Sequence, residues 1–282
     1  MHGNNTQRSN MFFSVDYSKC NQDGLCALEC PAKIIEMNDK GPVVIEGTED
    51  TCIQCGHCVA ICPEAALTLD FLSPESCREV DEKLQLTPDH VEHFLRSRRS
   101  IRTYRKKEVP PDVLEKCLSL AAAAPTGSNR QSVKWLVVHD TKDVQCIAAH
   151  VIDWMRHVLT HAPEIAARLN MHKLIEAWEN KVDRICRDAP HLIFAYALKE
   201  NGVAKADCDT AIAYLELALP SFGLGSCWAG YVTFAASQWP PLAAFLGLQD
   251  EHQVQGAVMV GYPKFTYKRI PERNKADIVF FK

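Results

Sequence analysis

Apolar residues change their rhythm partway along this 282-residue chain, and the change divides it. Up to about residue 72 they come in short bursts, at 12–15, 43–45 and 67–69, too brief for helices and shaped like strands. These bursts predict a small βαββαβ-like unit over residues 10–72. Residues 73–86, with Pro74 and many charges, read as a linker. From residue 87 the apolar positions recur at helical spacing. Thr87 and Pro88 are an N-cap and first-turn pair opening a helix through Val91, Phe94 and Leu95. Pro111 opens a second helix over 112–124, whose Val113, Leu114, Cys117, Leu118 and Leu120 supply its apolar positions and which Pro125 closes. A strand is expected at 135–138, two helices around Pro163 within 143–187, and a strand at 192–197. A long helix at 207–219 and a strand at 257–260 lead to a basic tail. Helices and few strands in irregular alternation indicate an α+β fold for residues 87–282.

Composition adds little to this picture, but the distribution of charge adds more. Apolar residues at 47% and charged ones at 23% describe an ordinary soluble protein. Residues 211–236 form the one long apolar stretch. Glu216, Pro220, Gly223, Gly225 and Gly230 interrupt it, so it reads as a buried helix ending in a glycine-rich turn rather than a membrane span. The net charge of −4 conceals ten acidic and three basic side chains in residues 10–72, against seven basic and two acidic in residues 91–110. The acidic half is unsuited to nucleic acid, and the arginine cluster points to a local anion. Residues 1–10 lack the apolar core of a signal peptide. With six scattered cysteines showing no pairing rhythm, this predicts a reducing, cytoplasmic setting.

Seven further cysteines carry the first chemistry. Residues 52–63 read C-I-Q-C-G-H-C-V-A-I-C-P, the C-x2-C-x2-C-x3-C-P run in which three thiolates wrap one cubane cluster and the fourth reaches a second. Residues 20–31 read C-N-Q-D-G-L-C-A-L-E-C-P and supply the reciprocal half. The crossed pattern assigns Cys52, Cys55, Cys58 and Cys30 to one cluster. It assigns Cys20, Cys26 and Cys62 to the other, with Asp23 standing where a fourth cysteine belongs. A zinc site is the alternative for C-x2-C pairs, but it leaves two C-x3-C-P endings unexplained. Residues 11–72 resemble bacterial two-cluster ferredoxins. A carboxylate is a harder ligand than thiolate, so the Asp23 cluster is either a 4Fe–4S with aspartate or water at one iron, or a 3Fe–4S. The plain alternative is that Asp23 only makes a turn with Gly24.

The second half offers R-R-S-I-R at residues 98–102, where planar guanidinium forks and a hydroxyl suit a phosphate. It also offers A-P-T-G-S-N-R-Q at 124–131, G-L-G-S-C-W-A-G at 223–230, and G-Y-P at 261–263 ahead of Lys268, Arg269, Arg273 and Lys275. In this order the four motifs resemble the nitroreductase family of FMN enzymes, over roughly residues 88–282. The whole chain is similar to a ferredoxin–nitroreductase fusion. The resemblance implies an α+β fold and a homodimer with two FMN sites at the subunit interface. It implies that Arg98 and Arg273 hold the FMN phosphate, with Arg99 and Ser100 nearby and Arg269 or Lys275 as helpers. Arg102 is expected beside the N1–O2 edge of the flavin, Asn129 at its pyrimidine edge, and Pro125, Thr126 and Gln131 along the same loop. Ala229 and Gly230 are expected to offer N–H groups to N5 and O4, with Trp228 packed beside them. No protein residue is assigned as catalytic, because flavin N5 carries the chemistry.

The function this implies passes electrons between the two iron–sulfur clusters and FMN, reducing a flat aromatic acceptor such as a nitroaromatic or quinone. Reduced ferredoxin or another low-potential donor is the expected source. The alternatives are an NAD(P)H-oxidising flavoenzyme using its clusters as an electron exit, and a non-enzymatic electron-transfer or redox-sensing module. Dehalogenation or flavin cleavage would need a lid, for which 143–187 is the candidate segment. Neither a G-x-G-x-x-G after a strand nor a G-x4-G-K-[ST] run is present.

Overall fold

The computed structural model describes residues 12–281. The N-terminal segment and the start of the expected ferredoxin unit therefore lie outside the described residues. Two compact units emerge: Met1–Gln85 with Ser128–Arg130, and Leu86–Gly127 with Gln131–Lys282. Residues 73–85, read as linker, belong to the first unit and form two short 3-10 turns, Pro74–Ser76 and Glu82–Leu84. No helix among the described residues is long and apolar enough to cross a membrane.

The first unit runs β1 (Phe13–Val15), α1 (Leu25–Glu29), β2 (Ile35–Asn38), β3 (Gly41–Val44), α2 (His57–Ala60) and β4 (Leu67–Leu69). Strands β1 and β4 pair antiparallel, as do β2 and β3. Only β2 escaped the sequence reading, because Glu36, Met37 and Asn38 are exposed and leave Ile35 as its one buried residue. Phe12, Ile34, Ile35, Val59, Leu67 and Leu69 form the small core, together with Cys26 and Cys30.

The second unit is a four-stranded antiparallel sheet, ordered β5-β6-β8-β7, with helices on both faces. The elements are α3 (Pro88–Ser97), α4 (Pro111–Ala121), β5 (Lys134–Val138), α5 (Thr141–His161), α6 (Pro163–Arg168), α7 (Met171–Glu179), β6 (His191–Leu198), α8 (Ala204–Ala218), β7 (Gly225–Trp228), α9 (Gly230–Gln238), α10 (Pro240–Leu246) and β8 (His252–Gly261). Along β6 successive side chains alternate between two cores. Leu192 and Phe194 pack with Ile147, Val151 and Met155 of α5, while Ile193, Ala195 and Ala197 pack with Cys208, Ile212 and Leu215 of α8. The central strands are buried on both sides, which explains their unbroken apolar runs.

Residues 143–187 hold three helices rather than two, and α5 forms a wall of the core through Val144, Ile147, Val151, Trp154 and Met155. Stretch 211–236 is not one helix and a turn. Helix α8 ends at Ala218, a 3-10 turn follows, and β7 and α9 complete it. Strand β7 forms because Gly225–Trp228 finds a partner in Val258–Gly261, a pairing that local glycine content conceals.

Candidate functional site

The cysteines fall into two groups. One cavity is lined by Cys30, Cys52, Cys55 and Cys58, and another by Cys20, Asp23, Cys26 and Cys62. The backbone repeats at an offset of 32 residues: Gln22 and Gln54 have φ of 59° and 54°, Gly24 and Gly56 of 73° and 72°. These left-handed positions curl each ligand run so that its thiols face inward, and glycine is the residue that adopts them without strain. Asp23 therefore occupies the place that Cys55 holds in the other half. Its Oδ1 accepts the Leu25 N–H at 3.0 Å, so it makes the turn as well as lining the cavity.

Burial pushes the Cys58 thiol up to about 12, with like charge at Cys55, Cys52 and Cys30 adding to it. Cys26 is raised chiefly by burial as well, with Cys62 and Asp23 contributing. Raised in this way, the Cys58 and Cys26 thiols hold their protons, so loading metal must expel them. Among the described residues no three His, Cys, Asp or Glu side chains converge tightly enough to hold one metal ion. Four thiols around one cavity, and three thiols with a carboxylate around the other, are a donor set that fits iron–sulfur clusters. The Ala66 N–H points at Cys62 Sγ, 3.4 Å away, as peptide donors do around cluster sulfur.

Asn129 shows an unforeseen set of partners. Its side-chain amide donates to the carbonyls of Ile53 at 3.1 Å and Gln54 at 2.9 Å, between ligands Cys52 and Cys55. Ser128, Asn129 and Gln131 all have positive φ, near 50°. Thr126 Oγ1 accepts the Gln131 N–H at 3.0 Å. Asp207, at the start of α8, accepts the Gly127 N–H at 2.9 Å. Pro125 precedes this turn, and Thr126 and Gln131 line a cavity of about 490 Å3 beside α4.

The arginine motif is stitched to the sheet by backbone. Ile101 N–H donates to the Ser226 carbonyl, Arg105 N–H to Tyr262, and Lys264 N–H to Thr103. R-R-S-I-R is thereby brought beside both G-L-G-S-C-W-A-G and G-Y-P. Arg98 and Arg99 line a cavity of about 680 Å3 with Arg273 and Lys275. Arg99 spends its Nη groups on the Arg98 and Arg96 carbonyls, and its buried Nε has no partner among the described residues. That orphaned donor fits a phosphate, in a cavity where Arg96, Arg98, Arg99, Arg273 and Lys275 outnumber the one acidic side chain, Glu272. Arg269 does not line this cavity. Arg98 also lies 3.6 Å from Glu216, which accepts hydrogen bonds from Ser226 Oγ and Trp228 Nε1.

Arg102 is exposed, and its Nη1 reaches the Ser100 carbonyl at 3.4 Å. Burial pushes the Cys227 thiol up, while Arg102 and Arg187 pull the other way. Arg187, at φ 58°, is a cation the sequence reading missed, with no motif to mark it. Ala229 corrects an expectation: its N–H is committed to the Ala257 carbonyl at 2.8 Å, extending the β7–β8 pairing by one bond. Gly230 opens α9 with nothing within 4 Å of where a Cβ would stand, and as a first-turn residue its N–H has no acceptor within the helix.

With this geometry in hand, comparison with known proteins is informative. The nitroreductase family matches residues 95–262, and the 4Fe-4S dicluster domain matches residues 13–83. An iodotyrosine deiodinase from Thermotoga neapolitana is 25% identical over 185 residues, 65% of this chain and 93% of that protein. A ferredoxin from Methanothermococcus thermolithotrophicus is 34% identical over 58 residues, 20% of this chain and 93% of its own length. The crystal structure of a nitroreductase with bound FMN from Bacteroides fragilis has the same fold, at a TM-score of 0.57 and 24% identity, covering 68% of this chain and 97% of that one. A match spanning more than half of the residues, on a fold that unites the arginine and glycine motifs, places this chain in the nitroreductase family of oxidoreductases, with a 4Fe–4S dicluster domain ahead of the family fold.

Proposed function

We propose that this protein is an FMN-dependent oxidoreductase fed through its own iron–sulfur domain, and that it reduces a flat aromatic acceptor such as a nitroaromatic or quinone. The observation that carries the reading is the presence, in one chain, of two cysteine-lined cavities and a cavity lined by arginines suited to a phosphate. FMN, when bound, supplies the storage and delivery of two electrons; the protein supplies binding, orientation and charge. Arg98 and Arg273 hold the phosphate, with Arg99 and Lys275 adding charge. Arg102 keeps a fixed cation near the ring edge where negative charge collects on reduction. The Gly230 N–H at the start of α9 serves the N5–O4 side in place of Ala229. Thr126 and Gln131 line a cavity separate from the arginines, which supports a site completed by a second copy of the chain.

The test is anaerobic purification, EPR to count clusters, and turnover with reduced ferredoxin or NADH on nitroaromatic, quinone and halophenol acceptors. Ferredoxin-driven nitroaromatic or quinone turnover that disappears in Cys55→Ser is the expected result. Full-rate NADH turnover in that variant would overturn the assigned direction of electron flow, and turnover confined to halophenols would overturn the acceptor class.

A further inference from the structure

Glu216 is a carboxylate inside an otherwise apolar helix, and sequence reading gave it no task beyond interrupting a hydrophobic stretch. It is 8% exposed, on the face of α8 turned toward β7. Both of its oxygens are engaged: Oε1 accepts from Ser226 Oγ at 3.1 Å and Oε2 from Trp228 Nε1 at 2.9 Å. Those two donors fix the carboxylate on the rigid strand. Arg98 Nη1 then lies 3.6 Å from Oε1, close enough for an ion pair but beyond hydrogen-bond length. The guanidinium is thus held by charge while its N–H donors stay available to a second anion.

We propose that Glu216 is a positioning residue for Arg98, fixing it for the phosphate of FMN. The proposal rests on the reading that Arg98 binds that phosphate. Two effects of removing the carboxylate oppose each other: loss of a negative charge near the phosphate favours FMN, and release of a long side chain disfavours it. Release dominates, because an arginine carries much rotamer freedom and the Glu216 charge is already met by two hydrogen-bond donors.

The experiment titrates flavin-depleted full-length protein with FMN and with riboflavin, which lacks the phosphate, following flavin fluorescence. Glu216→Gln should weaken FMN about tenfold, in line with loss of one positioned charge contact, and leave riboflavin within about twofold. Trp228→Phe, which unpins one carboxylate oxygen, should shift the FMN-to-riboflavin ratio in the same direction but less. Unchanged or tighter FMN binding in Glu216→Gln, or equal loss of both ligands, would overturn the proposal. Arg98→Gln separates the two levels. If it leaves the ratio untouched, the phosphate reading itself fails; if it collapses the ratio while Glu216→Gln does not, only the positioning role fails.

Discussion

Asp23 and Gly225 are single positions on which the chemistry of each half turns. Asp23 stands 32 positions before Cys55, within a backbone that repeats at that offset. Carboxylate holds iron less firmly than thiolate in a soft sulfide cluster, so the iron facing Asp23 is the one expected to leave on oxidation. Oxidised protein should show a 3Fe–4S EPR signal that Asp23→Cys replaces with 4Fe–4S behaviour; an unchanged spectrum would clear Asp23 of that role. Gly225 is the corresponding position in the second unit. A Cβ there would stand 2.3 Å from Ile101 Cγ1, so alanine must push R-R-S-I-R off β7. Gly225→Ala should cost about 1–3 kcal/mol in urea unfolding and weaken FMN binding with it. The division of the cysteines between two cavities was legible because their spacing encodes it. Ala229 was not, since its N–H is spent only once β7 has found its register on β8.

Elements were legible where their signals were local. Thr87 caps α3, its Oγ1 accepting the His90 N–H at 3.3 Å, as the Thr-Pro pair announced. Strand β6 carries a device that no local pattern reveals. His191 Nε2 accepts the Val109 N–H at 2.8 Å, and its Nδ1–H donates to the His139 carbonyl at 2.8 Å. His139 Nε2 closes the staple on the Val109 carbonyl, so the chain ahead of α4 is tied to β5 and β6. The Nε2 lone pair requires neutral His191, and burial is the main cause holding its pKa below 6.5; the hydrogen bond to the His139 carbonyl and the charge of Glu108 oppose it, and the charge of the His139 ring adds to it. A lowered folded pKa means that the unfolded chain takes up the proton first. The stabilisation is therefore complete above about pH 6.5 and is lost as pH falls through the depressed folded value. Urea unfolding between pH 7.5 and 5 should show a slope approaching about 1.4 kcal/mol per pH unit that His191→Gln lacks. Equal slopes in the two proteins would remove His191 as the titrating group.

The whole molecule poses a question that one chain does not answer by itself. Arg98 and Arg273 line one cavity, while Thr126 and Gln131 line another, although the FMN reading needs both sets around one ligand. Beyond the sheet, the tail leaves Val279, Phe280 and Phe281 at 89%, 83% and 101% exposure. Consecutive exposed apolar side chains of this size are what an association surface presents. A two-fold dimer would resolve both facts if its isologous interface set the loop of each copy against the arginines of the other. Complementation tests this arrangement directly. Arg98→Gln damages the phosphate half of each site, and Thr126→Val with Gln131→Ala damages the loop half, so each homodimer should bind FMN poorly. Unfolding the two variants together and refolding them at equal amounts forms mixed dimers, in which one site takes both damaged halves and the other takes none. About half of the dimers should be mixed, and about a quarter of all sites should regain native FMN affinity. Recovery at that level, read by flavin fluorescence and absent when each variant is refolded alone, requires the site to be shared. If the mixture binds no more FMN than the two variants apart, each site is built within one chain.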